Sequence, residues 1–452
     1  MHRDSHFTVP RLLQAEGQSA ALRLLVLAAF AAVVLLSTWR VVRTLHRPGD
    51  VPEFQQGLTD FHHIFVFPAM AVRQGVNPYD AEFMERLNVN RPYPLYSPAM
   101  FWLAYPLAYV PLAVADVLYY SASLLLVVAL AASALMVCRV PRTLVNVLGL
   151  ATLILLSRPG HVNLLLGQPT LLLVLGAVWG LELARRKPNL AGIALAVTTL
   201  KPTFGVPLIW LLFCRRDYRA VFVGATIGVS AVIAGLAPFA LRDGWRPLVN
   251  SLRESQSHHE ADKTVAADST WTRLDAQALL GKLLPSEPSG EIGLVLTAVV
   301  LLAAGWLVWR APRGPLTDGA DNLSGLVICT ATLACIYHGT YDALLLVVPW
   351  VGAAVGGLRQ QLPLRLQIVL PVLLAIPAAN YLSARAVLSR LSIQGSLWTA
   401  VTALNSLAVL AAFLLACYCL HQQAQTKRLT AKDAKNAKRY RKIDSPLAYV
   451  DL

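Results

Sequence analysis

The chain is short of charge, and the charge it has is mostly positive. Asp, Glu, Lys and Arg make up 14% of its 452 residues, whereas hydrophobic residues make up 56%. A soluble protein of this length cannot hide that much apolar surface, which excludes a soluble globular fold. The 39 basic residues outnumber the 25 acidic ones, giving a net charge of +14. Because the basic residues cluster at the ends of apolar runs and in the tail, they favour a positive-inside membrane orientation over a nucleic-acid partner.

Cysteine is also scarce, and several familiar catalytic motifs are missing. The six cysteines lie in or beside apolar segments, and none has the spacing of a zinc site. Cys417-x-Cys419 is shorter than the usual redox motif. The sequence has no glycine-rich phosphate loop, no cluster of metal ligands and no serine nucleophile motif. The residues therefore call for no metal and no other cofactor.

What the chain has instead is a series of apolar runs near the ~20 residues that cross a bilayer. They predict an all-α, polytopic membrane protein with about 12 transmembrane helices and short surface helices in the first external loop. The predicted organisation is a cytoplasmic N-terminus at 1–20, a transmembrane domain at 21–420 and a basic cytoplasmic tail at 421–452. The transmembrane domain carries external loops at 43–97 and 241–291.

Most of the predicted spans are single apolar runs, and one is broken. Leu190–Phe213 begins and ends at basic clusters, so it is predicted to enter and return as two short helices that turn at Lys201-Pro202. The other predicted spans are Ala21–Val42, Leu112–Val137, Leu144–Leu156, Leu164–Ala184, Ala220–Phe239, Ile292–Trp309, Leu323–Tyr337, Leu344–Val355, Leu366–Tyr381 and Leu397–Leu420.

Asp60 follows the first span and opens a segment with apolar residues at helical spacing. We expect this segment to be a short helix on the bilayer surface that ends near Gly75. A carboxylate beside a bilayer is costly unless it is paired, hydrated or functional. Our hypothesis is that Asp60 is the general base of a membrane-embedded sugar transferase. The alternative is an ordinary N-cap of the surface helix.

Lys201 and the stretch from His338 to Asp342 are further candidates on the same predicted face. An ammonium inside an apolar segment requires an anion such as a lipid phosphate, although a lysine can also snorkel to an interface. His338 can donate to a phosphate oxygen, and Tyr341 or Asp342 can position a sugar hydroxyl. The alternative for the whole stretch is a polar turn capped by an aspartate.

Gln168 and Arg91 complete the candidate substrate-binding residues. Gln168 offers an amide to a hydroxyl-rich ligand at the start of a span, and Arg91 lies among prolines and aromatic residues that can stack on sugars. A shaped helix start and an interfacial aromatic belt are the respective alternatives.

Taken in order, these stretches resemble glycosyltransferase family 87, membrane enzymes of the GT-C class. The similar segments run from about Leu24 to Pro349, with Ser97 and Thr170 standing where the family has proline and asparagine. They are Asp60-Phe61 through Pro78-Tyr79, Tyr96-Ser97-Pro98, Gly167-Gln168-Pro169-Thr170, Ala191-Gly192 to Lys201-Pro202, Leu211 to Arg216 and His338 to Pro349.

The resemblance implies a GT-C-like fold and a multi-pass enzyme of the cell membrane, with a bacterial inner membrane favoured and the active site on the extracytoplasmic face. It implies transfer of a hexosyl or pentosyl group from a polyprenyl-phosphate-linked donor to a lipid or glycan acceptor, usually with inversion; mannose and arabinose are family precedents. Asp60 would be the base, and Lys201 and His338 would hold the departing phosphate. The alternatives are a lipid or sugar transporter, for which the broken helix is typical but internal repeats are missing, and an inactive subunit.

Overall fold

The computed structural model of the chain describes residues 13–14, 18–45, 56–89, 93, 96–261, 266–284, 288–311 and 319–443. Within these ranges the chain is helical and contains no strand, which confirms the all-α prediction. The side chains of 259–261 and 427–443 are not described.

Twenty-one α-helices occupy the described ranges. The first seven are α1 (Ala20–Arg43), α2 (Thr59–Phe61), α3 (Phe67–Arg73), α4 (Ala81–Leu87), α5 (Ala99–Leu103), α6 (Leu112–Val137) and α7 (Leu144–Leu156). The next seven are α8 (Arg158–Leu166), α9 (Thr170–Leu183), α10 (Pro188–Thr198), α11 (Pro202–Cys214), α12 (Tyr218–Asp243), α13 (Trp245–Ala261) and α14 (Ala276–Leu283). The last seven are α15 (Gly290–Arg310), α16 (Leu323–Cys335), α17 (Val347–Val355), α18 (Gly357–Gln360), α19 (Leu366–Ala379), α20 (Arg385–Arg390) and α21 (Gly395–Ile443). A π-helical stretch, His62–Val66, joins α2 to α3, and 3₁₀ turns occupy Tyr105–Tyr109, Thr340–Leu346 and Tyr381–Ser383.

Six helices of the described chain are long and apolar enough to cross a membrane, or seven if α7 and α8, which meet at a 73° bend, form one span. The prediction of about 12 spans is not confirmed, because several predicted spans are helices of only 11 to 14 residues. A bilayer core of about 30 Å needs roughly 20 helical residues. The six spans are Ala20–Arg43, Leu112–Val137, Tyr218–Asp243, Gly290–Arg310, Leu366–Ser383 and Gly395–Thr426.

Two helix breaks shape the middle of the chain. The first lies between α10 and α11, where Lys201 precedes Pro202, so the predicted turn at Lys201-Pro202 is confirmed. The second divides the predicted span Leu164–Ala184 into α8 and α9. Gly167 ends α8 with φ of +72°, a left-handed conformation that favours glycine. Gly167 and Pro169 are local signals for this break, and the prediction of one span over Leu164–Ala184 did not use them.

The segment expected to lie on the bilayer surface is instead packed inside the protein. Phe61, Val66 and Ala69 are each at most 1% exposed. They belong to a hydrophobic cluster that also takes in Phe101 of α5, Phe239 of α12 and Leu248 of α13. The segment does not lie on the surface, because helices from two distant parts of the chain cover it.

Two hydrophobic clusters make up the described core. The larger one is built from α6, α7, α9, α11, α16 and α17, among others, and the smaller one surrounds the segment from Leu58 to Phe83. Leu200 packs against both clusters, and the residue that follows it is Lys201. The polar residues described next lie at this junction.

Candidate functional site

Asp60 lies in the first turn of α2 and is partly exposed. Its short helix, α2, docks on the junction between α8 and α9, residues Leu165–Thr170, which we call the α8–α9 turn. The backbone N–H of Leu58 donates to the carbonyl of Leu165 at 2.7 Å. Phe61, beside Asp60, stacks on Tyr119 with ring centroids 4.0 Å apart. These contacts fix the backbone that carries the carboxylate.

Gln168 of the α8–α9 turn contacts this carboxylate directly. Its side-chain Nε2 donates to Asp60 Oδ2, and its Oε1 accepts a hydrogen bond of 3.3 Å from the Tyr96 hydroxyl. A carboxylate only accepts, so the amide nitrogen must face Asp60 and the amide oxygen must face Tyr96. Gln168 is 4% exposed, so this amide is fixed in one orientation within the protein.

A second charged group, the cationic cluster, consists of Lys201, His338 and Asp342. The Lys201 ammonium donates to Asp342 Oδ2 at 2.7 Å, and His338 Nδ1 lies 3.0 Å from the same oxygen. The backbone N–H of Gly339 also donates to this oxygen at 3.0 Å. All three side chains of the cluster are at most 5% exposed. With three N–H groups directed at it, Asp342 is an ionised acceptor.

Both ring nitrogens of His338 face acceptors. Nδ1 faces the Asp342 carboxylate, and Nε2 lies 3.1 Å from the backbone carbonyl of Thr203. A ring nitrogen that carries hydrogen therefore has a partner in the protein on either side. The ammonium of Lys201 supplies the positive charge of the cationic cluster.

Aromatic rings close over the Lys201 ammonium. Its Nζ lies 5.0 Å from the ring centroid of Tyr341 and 5.4 Å from that of Phe204, which are cation–π distances. The ring of Tyr341 packs on Gly339, where an added Cβ would lie 2.8 Å from the ring. Tyr341, one of the predicted substrate-binding residues, therefore covers the ammonium in this structure.

The α8–α9 turn also touches the cationic cluster. The Thr170 hydroxyl donates to Asp342 Oδ1 at 3.1 Å, and Thr170 is fully buried. Gln168 and Thr170 are two residues apart, yet one holds Asp60 and the other holds Asp342. The carboxylate and the cationic cluster therefore belong to one site.

Tyrosines line the space around both carboxylates. Tyr96, Tyr337 and Tyr341 each lie within electrostatic range of Asp60 and of Asp342. Burial, followed by the nearby Asp342 and Asp60 charges, raises the pKa of Tyr96 well above its usual range. Its hydroxyl therefore keeps its proton and acts as a hydrogen-bond donor.

The predicted external loop at 241–291 reaches the cationic cluster. The N–H of Leu274 donates to the carbonyl of His338 at 2.9 Å, and the Thr340 hydroxyl donates to the carbonyl of Thr272 at 2.8 Å. Arg273 forms a two-bond ion pair with Asp275, at 2.8 and 2.9 Å, between these contacts. The loop thus forms one wall of the site and holds the backbone of His338.

The structure brings together Asp60, Gln168, Lys201, His338, Tyr341 and Asp342, whereas Arg91 lies outside the described residues. Sequence reasoning missed the hydrogen bond between His62 Nε2 and Asp116 Oδ1, at 2.6 Å, which ties the Asp60 segment to α6. A charged residue inside a 26-residue apolar helix was the signal that could have found it. Among the described residues, no group of three His, Cys, Asp or Glu side chains could hold a metal ion.

This arrangement combines an accepting carboxylate that is partly exposed with a buried cluster that contains an ammonium. The first suits removal of a proton, and the second suits an anion or developing negative charge. A sequence model of glycosyltransferase family 87 matches residues 95–337, more than half of the chain. No curated protein and no solved structure matches the chain significantly.

Proposed function

The chain belongs to glycosyltransferase family 87, and on that premise we propose that it transfers a sugar from a polyprenyl-phosphate carrier to a hydroxyl of a lipid or glycan acceptor. One observation carries this proposal. The α8–α9 turn holds Asp60 through Gln168 and the cationic cluster through Thr170. A base and a phosphate-binding cation are the two parts that such a transfer needs from the protein.

In the proposed reaction Asp60 is the base. Its carboxylate takes the proton from the acceptor hydroxyl as that oxygen bonds to the anomeric carbon of the sugar. The bond between the anomeric carbon and the phosphate oxygen breaks, and its electron pair leaves with the lipid phosphate. One displacement of this kind inverts the anomeric centre, because the nucleophile and the leaving group lie on opposite sides of the carbon.

The cationic cluster would stabilise the leaving phosphate, whose negative charge grows in the transition state. Lys201 is the direct ligand in this proposal, because an ammonium has three N–H groups and Asp342 takes one. Both ring nitrogens of His338 face protein acceptors, so in this proposal His338 holds Asp342 and does not contact the phosphate directly. The Lys201 ammonium supplies one positive charge toward a lipid phosphodiester, which carries one negative charge.

We place the site on the extracytoplasmic face of the cell membrane. Lys201 lies at the amino end of α11, and Arg215 and Arg216 lie at its other end. Basic residues favour the cytoplasmic side of a membrane protein, so the Lys201 end would face outward. A reporter fused after residue 65 that reads cytoplasmic would contradict this orientation.

Substituting Asp60 tests the proposed reaction most directly. We expect Asp60→Asn to lower the rate of sugar transfer from a polyprenyl-phosphate donor about 10²- to 10⁴-fold, the usual contribution of a positioned base. Transfer is measured with the purified full chain in lipid nanodiscs, with radiolabelled donors that differ in their sugar.

Asp80→Asn is the matched control, because Asp80 lies in the same predicted external loop and its carboxylate accepts from the Ser251 hydroxyl at 3.2 Å. It should transfer sugar at the wild-type rate. Wild-type activity in Asp60→Asn would remove the base. Movement of the lipid across the bilayer without any sugar transfer would favour a transporter instead.

A further inference from the structure

Resting on the proposed function, we propose that the α8–α9 turn sets the spacing between the base and the leaving-group cluster, with Gln168 and Thr170 as its positioning residues. Neither residue needs to touch the substrate in this role. Gln168 acts through Asp60, and Thr170 acts through Asp342 and the ammonium that Asp342 holds.

The first support is how the turn is fixed against the Asp60 segment. Gly167 adopts φ of +72°, and an added Cβ would lie 2.6 Å from Phe61 Cβ, an atom that cannot rotate away. The Tyr119 hydroxyl donates to the Gly167 carbonyl at 2.8 Å, while Tyr119 stacks on Phe61. The turn and the Asp60 backbone are therefore held against each other.

The second support is that the Gln168 amide is held in one orientation. Its nitrogen donates one N–H to Asp60 and its oxygen accepts from the Tyr96 hydroxyl, so turning the amide over would lose both bonds. An N–H directed at a carboxylate stabilises the charged form, which is the form that acts as a base. Gln168 thus orients Asp60 and favours its ionised state.

The third support is that the two carboxylate oxygens of Asp342 accept from different groups. Oδ2 accepts from Lys201, His338 and Gly339, and Oδ1 accepts from Thr170. Asp342 is fully buried, and both of its oxygens accept from protein groups. Thr170 is the one contact in this set that links the cluster to the turn bearing Gln168.

Spacing matters because a direct displacement requires the base and the leaving group on opposite sides of the anomeric carbon. A misplacement of about 1 Å can cost roughly 10²-fold in rate. Two residues of one backbone turn, each hydrogen-bonded to one side of the site, define that separation more rigidly than two independent loops would.

The test uses near-isosteric variants of each positioning residue, assayed with the full chain in nanodiscs across a range of pH. Gln168→Met should lower kcat about 10- to 10²-fold, and it should move the loss of activity on the acidic side to higher pH, because Asp60 loses its N–H donor. Thr170→Val should raise the donor KM about 10-fold and leave the acidic limb at its wild-type pH. Thr170→Ser, which restores the hydroxyl, should recover wild-type KM.

Gln394→Met, at an exposed position, and Thr399→Val, at a partly exposed one, are matched controls, and they should change neither constant. If Gln168→Met and Thr170→Val alter only thermal stability, or if both shift the same kinetic constant, the positioning roles are wrong. If the wild-type chain neither binds polyprenyl phosphate nor transfers sugar from it, the proposed function fails and this inference with it. Active wild type with unaffected variants overturns the positioning inference alone.

Discussion

The two ends of α11 carry two buried charged groups that differ in how completely the protein satisfies them. At the amino end, Lys201 pairs with Asp342. At the carboxyl end, Arg215 and Arg185 both donate to Asp217. The two ends are about 20 Å apart, because α11 has 13 residues. We call the second group, Arg185, Arg215 and Asp217, the arginine cluster.

Neighbouring backbone groups accept further hydrogen bonds from the arginine cluster. The Arg215 guanidinium also donates to the carbonyl of Leu181 at 2.9 Å and to that of Gly319 at 3.2 Å. At the amino end, the Lys201 ammonium has one carboxylate and two aromatic rings around it. A buried ion pair therefore does not by itself indicate a catalytic site, since most such pairs are structural.

What distinguishes the amino end is the second carboxylate brought to it from a distant loop. Asp60 reaches Gln168 across 108 residues of sequence, and Gln168 lies two residues from the contact with Asp342. At the arginine cluster, the hydrogen bonds of Arg215 beyond Asp217 go instead to the backbone carbonyls of Leu181 and Gly319. The comparison predicts that equal substitutions at the two ends should separate activity from stability.

Removing the cation at each end should give the largest separation. We expect Lys201→Met to lower kcat/KM for the polyprenyl-phosphate donor about 10²- to 10³-fold, because the growing phosphate charge loses its nearest donor. Arg215→Met should instead lower the free energy of unfolding by about 3 kcal/mol, because Asp217 and two carbonyls lose a buried partner. The folded fraction of Arg215→Met should transfer sugar at the wild-type rate.

Donor kinetics and unfolding midpoints in the same nanodisc preparation check this pair of variants. Equal losses of activity and stability in both variants would show that Lys201 is a structural partner of Asp342, as Arg215 is of Asp217.

The sequence carries a local signal for both helix breaks, but it does not specify both conformations. Pro202 beside Lys201 removes a backbone donor, so the turn at Lys201 follows from local chemistry. Gly167 and Pro169 also mark a break, and the packing of Phe61 against Gly167 accompanies its left-handed conformation. Local signals thus located both breaks, while the conformation of the α8–α9 turn depends on a tertiary contact.

The site residues divide in the same way. Asp60, Lys201 and His338 stand out because charge is rare in an apolar chain, so their selection needed no structure. For Gln168 and Asp342, the predicted contact with substrate remains a prediction. Their hydrogen-bond partners in the structure are protein groups, since an amide or a carboxylate binds any donor or acceptor that the fold places beside it.

A glycine substitution at each end sharpens the comparison with a smaller effect. Gly167 and Gly319 both have positive φ, +72° and +101°, so alanine at either position should cost about 1–2 kcal/mol of stability. Gly167→Ala should also lower kcat about 10-fold or more, because the α8–α9 turn must shift away from Phe61.

Gly319→Ala should leave kcat unchanged, because its added Cβ meets the flexible end of the Glu182 side chain near the arginine cluster. Thermal unfolding and donor kinetics on both variants measure the two quantities separately. Reduced kcat in Gly319→Ala would show that strain at one end of α11 reaches the other.

The smallest expected effect on sugar transfer accompanies a change of stability with pH at the arginine end. Asp321 precedes α16, and its carboxylate accepts from the N–H groups of Gly357 and Leu358 at 2.7 and 3.1 Å. Burial raises the pKa of Asp321 to about 6, outweighing those two donors and the nearby Arg139. Between about pH 4 and 6 the folded chain keeps a proton that the unfolded chain has released, so the free energy of unfolding falls as pH rises through this window.

Asp321→Asn removes this titration, so the stability of the variant relative to wild type should rise by about 2–3 kcal/mol between pH 4 and pH 7. The matched control is Asp268→Asn at an exposed position, which should show no such change across the window. Unfolding midpoints at several pH values measure the difference, and parallel curves for wild type and Asp321→Asn would contradict it. Because Asp321 belongs to the arginine end of α11, sugar transfer at pH 7 should proceed at the wild-type rate in both variants.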